Sequence, residues 1–227
     1  ALLLFNIIQF TMSRQLVYFY LILHVVSGIG YMGLIDGTML SVWIFLGIQD
    51  IALPVVLALS IVSAIYFTRD YLELKTSQPV WDRVGRYFIY LVALVLLSVV
   101  AAPLQWVHIA ILICVVLACL YFIATGFIRL LDEYRPALMY LIGFGSLSLM
   151  TVWILSNVLG LKSDVRWIIY GAHAAWIGEL LVLSIAASIR VSTIEDEQAT
   201  LSRKIKALLD ENNQLSRSFV RLSEELR

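Results

Sequence analysis

Seven apolar runs, most of them near 20 residues long, follow one another from Ala1 to Ile189, and they limit the fold of this chain more than any other feature. In hydrocarbon each backbone N–H and C=O must find its partner inside the protein. A run of about 20 apolar residues therefore becomes a helix that spans a core of about 30 Å at about 1.5 Å per residue. The first run, Ala1 to about Met12, is a partial span. The others are roughly Val17–Leu34, Ile51–Tyr71, Val84–Ala102, Trp106–Leu130, Pro136–Asn157 and Arg166–Ile189. Composition agrees: 61% of the chain is hydrophobic and 14% charged, against roughly half and a quarter in soluble domains. Pro54 is expected in the first turn of its span and Pro136 at the start of another, where a missing N–H costs little; Pro103 ends the fourth. The short apolar stretch Gly37–Gly47, which carries a tryptophan, is expected to lie as a loop at the membrane interface.

Basic residues orient these spans. Arg14 follows span 1. Arg69, Lys75, Arg83 and Arg86 follow span 3, Arg129 and Arg135 follow span 5, and Arg190 opens the segment after span 7. The connections after spans 2 and 4 hold no Lys or Arg, and the one after span 6 holds Lys162 and Arg166. The positive-inside rule then places the N-terminus outside and the C-terminus in the cytoplasm. Both ends are expected to continue into further sequence, since Ala1 already lies in an apolar run and Arg227 in a repeat.

That repeat puts leucine at Leu201, Leu208, Leu215 and Leu222. With these at heptad position d, the a positions are Ile205, Asn212, Phe219 and Leu226, and the frame extends back through Gln198, Ile194 and Val191. One polar Asn among apolar a and d residues favours a parallel, in-register dimer at some cost in stability. No glycine or proline interrupts the chain from Glu179 to Arg227, so a single helix can leave the bilayer and enter the seam. The e and g positions supply no run of salt bridges, which leaves the seam marginal and suits an element that changes register or twist. The expected fold is an all-α membrane protein: a seven-helix bundle over 1–190, its first helix truncated, whose last helix continues over 191–227 as a cytoplasmic parallel dimeric coiled coil.

Few residues in the spans carry chemistry. Glu179 sits near the middle of span 7, where a carboxylate costs roughly 2.5–3.5 kcal/mol on insertion scales, so it is either a switch or ligand contact or a satisfied interhelical hydrogen bond. Depth arithmetic at ~1.5 Å per residue puts His24 and Glu179 level, roughly 18 Å below the outer edge, and His173 only about 9 Å down. The two level residues pair if spans 2 and 7 are neighbours, whereas a site using His24, His108 and His173 together is not expected. Cys114 and Cys119 lie five residues apart on different sides of one helix and are read as packing, so no metal or other cofactor is expected. Small residues at Gly171 and Ala175, and at Ala174 and Gly178, permit close helix approach, either within one bundle or along a dimer seam. No phosphate loop, paired aqueous carboxylates or nucleophile with a base is present, and span 7 has no lysine for retinal. Net charge is zero, and from Val191 to Arg227 six basic residues face seven acidic ones. Neither a nucleic-acid partner nor a polybasic lipid clamp follows; the expected surroundings are membrane lipid and a second copy of the chain.

Several segments resemble one bacterial family, the seven-transmembrane receptors with diverse intracellular signalling modules. They are Tyr18-Phe-Tyr-Leu-Ile-Leu, Phe67-Thr-Arg-Asp-Tyr-Leu-Glu-Leu with Pro79 and Asp82 following, Tyr134-Arg-Pro-Ala-Leu, and Gly178-Glu-Leu-Leu-Val-Leu-Ser-Ile-Ala-Ala. The last places Glu179 and Ser184 where that family typically has a Glu and a Ser. The resemblance implies an extracytoplasmic sensor domain before Ala1 and a cytoplasmic output domain after Arg227. That output is first a histidine kinase with a response regulator as partner, next a diguanylate cyclase. The stretch from Glu211 to Arg227 is similar to the helix preceding the phosphoacceptor helix of some sensor kinases. Two other readings stand beside a receptor. A transporter calls for broken helices and polar groups converging at the midplane, and a constitutive membrane anchor calls for the dimer alone.

Overall fold

The computed structural model describes residues 1–35, 37, 49–158 and 165–225, and all regular structure among them is helical. We label the helices α1 (Leu2–Ser13), α2 (Leu16–Ile35), α3 (Gln49–Tyr71), α4 (Pro79–Leu97), α5 (Leu104–Leu131), α6 (Pro136–Val158) and α7 (Val165–Glu225). A single-turn helix, Leu74–Ser77, joins α3 to α4, and a 3₁₀ turn, Ser98–Val100, follows α4. Among the described residues six helices are long and apolar enough to cross a membrane, and α1 is a shorter apolar helix. The chain forms two compact units, Ala1–Ala187 and Ser188–Arg227. The loop expected at 38–47, Lys162 and Leu226 lie outside the described residues, as do the side chains of Arg166, Leu215, Phe219 and Leu222.

Two expectations are corrected. Pro54 lies in the second turn of α3, because the helix starts at Gln49 and not Ile51. The fourth helix starts at Pro79, five residues before the expected Val84, so Arg83 and Arg86 belong to its first turns and not to a loop. Pro79 stands at the head of α4, where its missing N–H breaks no helical bond, and Asp82 in the first turn pairs with Arg86 of the same helix and Arg69 of α3. Asp82 is buried, with its Oδ1 2.7 Å from Arg69 Nε and its Oδ2 3.3 Å from Arg86 Nη2. The polar first turns that hid this helix in a hydropathy reading are held by ion pairs.

Lipid tails are as apolar as leucine, so helices in a bundle associate through packing and hydrogen bonds. Both are visible in the first unit. Helix α2 lies along α3, α5 along α6 and α1 on α2, while α3 also meets α4 and α5. Its core is a chain of aromatic rings. Phe67 stacks on Tyr71 (5.3 Å between centroids), Tyr71 on Tyr140 (6.1 Å), and Tyr140 meets Phe144 (4.8 Å), which meets Phe122 (4.4 Å) and the His24 ring (6.5 Å). The hydroxyls among these rings are satisfied locally: Thr68 Oγ1 donates to the Ala64 carbonyl and lies 2.9 Å from the Tyr140 hydroxyl.

Below the rings, the α3–α4 corner and the α5–α6 turn are tied to each other. Arg129 Nε donates to the Leu72 carbonyl (2.9 Å) and its guanidinium covers the Tyr134 ring at 4.4 Å. The Tyr134 hydroxyl donates to the Tyr71 carbonyl (3.2 Å), and the Tyr71 hydroxyl to the Pro136 carbonyl (3.2 Å). Asp132 accepts from Gln78 (3.0 Å) and Arg129 (3.3 Å). The residues at 67–74, 79, 82 and 134–138 that carry the family resemblance are thus mainly the parts of one joint.

Two predictions follow from this packing. A Cβ on Gly28 would meet the Trp176 ring at 1.8 Å, so Gly28→Ala forces α2 and α7 apart. It should cost about 1–3 kcal/mol and lower the thermal midpoint in detergent, with Trp176→Leu restoring it; an unchanged midpoint contradicts the contact. At the joint, the Gln78 amide, and after it Arg129, hold the Asp132 carboxyl below the usual carboxylate range. A depressed carboxylate contributes stability in full above its unfolded value of about 3.9 and loses it as pH falls through the lower folded value. Gln78→Ala should move the Asp132 midpoint upward in an NMR titration, and a fixed midpoint would rule out the Gln78 bond.

Candidate functional site

Glu179 is completely buried, as are Leu180, Leu183 and Ser184 on the same stretch of α7. The α7 sequence alternates such inward positions with the lipid-exposed Ile177, Leu181 and Ile185, and this 3.6-residue period holds the carboxyl inside the bundle. It meets His24 of α2, itself 3% exposed: Nε2 lies 3.5 Å from Glu179 Oε1. Hydrogen bonds of this kind are usually about 2.7–3.2 Å, so the two groups are neighbours that have not closed on each other. The opposite ring nitrogen is held more closely. His24 Nδ1 lies 3.2 Å from the Ser60 carbonyl and 3.1 Å from the Ser60 hydroxyl, which fastens the imidazole to α3.

Burial leaves this pair short of partners. Glu179 Oε1, Glu179 Oε2 and His24 Nε2 are all shielded from solvent and make no hydrogen bond among the described residues. A single proton between Nε2 and Oε1 joins the pair whether it rests on nitrogen or oxygen, and in either case Oε2 still lacks a donor. Unsatisfied buried polar atoms cost about 1–3 kcal/mol each, more when charged.

Ser184, five residues further along α7, accepts from Asn6 of α1: Asn6 Nδ2 lies 3.0 Å from Ser184 Oγ and 3.0 Å from the Leu2 carbonyl. Asn6 is fully buried and its Oδ1 makes no hydrogen bond among the described residues. It is a site residue that sequence reading missed, although an amide in an apolar run carries the same warning as Glu179. Helix α7 is therefore gripped by polar contacts from two helices, α2 at Glu179 and α1 at Ser184. Close packing adds a third partner, α6, where a Cβ on Gly143 would meet Leu183 at 2.8 Å and one on Gly171 would meet Met150 at 2.7 Å.

The structure does not gather the other candidates here. His173 and His108 are half-buried, and among the described residues no three His, Cys, Asp or Glu side chains come together. Cys114 and Cys119 are both buried and free, and Cys119 Sγ lies 3.7 Å from Thr151 Oγ1. Gly178 has no atom within 4 Å of an added Cβ, so of the two glycines it is Gly171 that packs closely. In the second unit Leu201, Ile205, Leu208 and Asn212 are exposed on the single chain.

The first unit is thus a helical bundle with a buried, incompletely paired carboxylate on its last helix. The chain belongs to the family described as 7TM diverse intracellular signalling, whose model matches residues 1–190. It is thus a seven-helix membrane module of a transmembrane signalling family. No curated protein and no solved structure matches it.

If the Asn6–Ser184 bond holds α1 to α7, Asn6→Leu should lower the thermal midpoint more than Ser184→Ala does. It removes both Asn6 bonds and leaves the Ser184 hydroxyl without its donor. Equal and negligible effects would remove this contact from the site.

Proposed function

We propose that residues 1–190 are the relay bundle of a bacterial inner-membrane receptor and that 191–227 form a cytoplasmic, parallel, dimeric coiled coil leading to an output domain. A signal from an extracytoplasmic sensor shifts α7 against α2, and the coil carries that shift to a histidine kinase acting on a response regulator, or next to a diguanylate cyclase. The contact between His24 and Glu179 carries this reading. It joins α2 to the helix that also bears the heptads, and at 3.5 Å it is poised between closing into a hydrogen bond and opening. A relay needs two arrangements of similar free energy that the input biases, and a buried pair one donor short supplies the small difference. The excess of Lys and Arg after spans 1, 3, 5 and 7 supports a cytoplasmic C-terminus. The exposed Leu201, Ile205 and Leu208 on the single chain support a second copy as their cover.

In the full receptor, Glu179→Gln and His24→Gln should each pin output at one level, and the double variant should match one single variant. Thermal unfolding of the four proteins should give a coupling of about 0.6–1.7 kcal/mol, the range of interhelical hydrogen bonds in membranes. Additive losses with normal output in both single variants contradict the relay. For the coil, cysteine at Leu208 should crosslink between protomers in native membranes, and a monomer-only pattern contradicts the dimer.

A further inference from the structure

A cavity of about 120 Å³ opens inside the first unit next to His24. Helix register sets its direction. His24, Ala64 and Phe122 line one end, and Tyr31, Leu57 and Trp176 lie a turn or two further along α2, α3 and α7. Glu179 sits one helical turn beyond Trp176, toward the His24 end. The cavity therefore runs from the Ile35 end of α2 down to the buried pair.

Its walls are of two kinds. Most are apolar, and among them Phe122 and Trp176 with Met32 and Met150 have rings and thioethers that favour contact with another aromatic ring. Of the polar lining residues, which include Tyr31, Ser60 and Thr151, His24 is more than nine-tenths buried and its Nε2 makes no hydrogen bond among the described residues. An apolar void of about 150 Å³ holds benzene and excludes water, so this cavity has the size of one small ring. Of the two members of the pair it is His24 that lines the cavity; Glu179 lies behind it, with Oε1 3.5 Å from Nε2.

We propose that the cavity is a ligand site of the bundle itself, taking a single-ring aromatic molecule with one O–H or N–H donor, a phenol or an aromatic amine. The ring packs between Trp176, Phe122 and the two methionines, and the donor reaches His24 Nε2. Occupancy gives that nitrogen a hydrogen bond and so acts on the α2–α7 contact argued above to switch. Binding is measured on the membrane chain alone, without any output domain, so failure of the site leaves the relay reading standing and the reverse is also true.

The test uses the full chain in lipid nanodiscs, with phenol and toluene as probes and empty nanodiscs as the partition control. Saturation-transfer NMR should show saturable phenol binding, with toluene weaker by about two- to tenfold, the worth of one net hydrogen bond. Ala118→Leu and Thr151→Leu each fill the cavity and should abolish the saturable signal while the thermal midpoint of at least one of them holds or rises. His24→Gln should bring the phenol-to-toluene ratio toward one. Saturable binding that survives both filling variants, equal affinity for the two probes in the native chain, or no signal above empty nanodiscs overturns the proposal.

Discussion

A polar group buried among hydrocarbon tails has no water to fall back on, so its partner must be protein, and most of the polar geometry of this bundle follows from that. Where partners are available the helices are joined firmly: Asp82 between Arg69 and Arg86, Arg129 on the Leu72 carbonyl, Thr68 against Tyr140. Where they are incomplete the join is loose. Glu179 and His24 stand 3.5 Å apart with their remaining lone pairs unserved among the described residues. The contrast separates a half of the bundle joined by paired polar groups, around the α3–α4 corner, from a contact whose polar atoms are incompletely paired among the described residues.

That division suits a signalling module. The aromatic rings from Phe144 to Tyr71 pack from the His24 end to the tied joint, so a change at the pair meets a dense, discretely packed core. Helix α7 sets large side chains against glycines of its neighbours and makes polar contacts with two of them. Gly28 of α2 accepts the Trp176 ring, Gly143 of α6 accepts Leu183, His24 meets Glu179 and Asn6 holds Ser184.

Much of this was legible in the chain because a bilayer imposes a length. Runs near 20 residues marked the spans, and counting at 1.5 Å per residue put His24 and Glu179 at one depth before any neighbour was known. That α2 and α7 are adjacent was not legible, since apolar helices in lipid carry no strong pattern that names their partner. The start of α4 escaped because Asp82, Arg83 and Arg86 read as loop, although they are helical and Asp82 pairs with Arg69 and Arg86. Asn6 was overlooked in a partial span, and the cavity has no sequence signature because it is assembled from five helices.

The central claim is that Glu179 governs the position of α7 against α2. Val26 and Leu181 are exposed on these two helices within two residues of the pair, so spin labels there disturb no core contact. Double electron–electron resonance on dimers diluted with unlabelled chain then reads the separation within one bundle. The account predicts that Glu179→Gln shifts or splits the distance distribution of the native chain. Superimposable distributions would show that the carboxylate does not set the helix position.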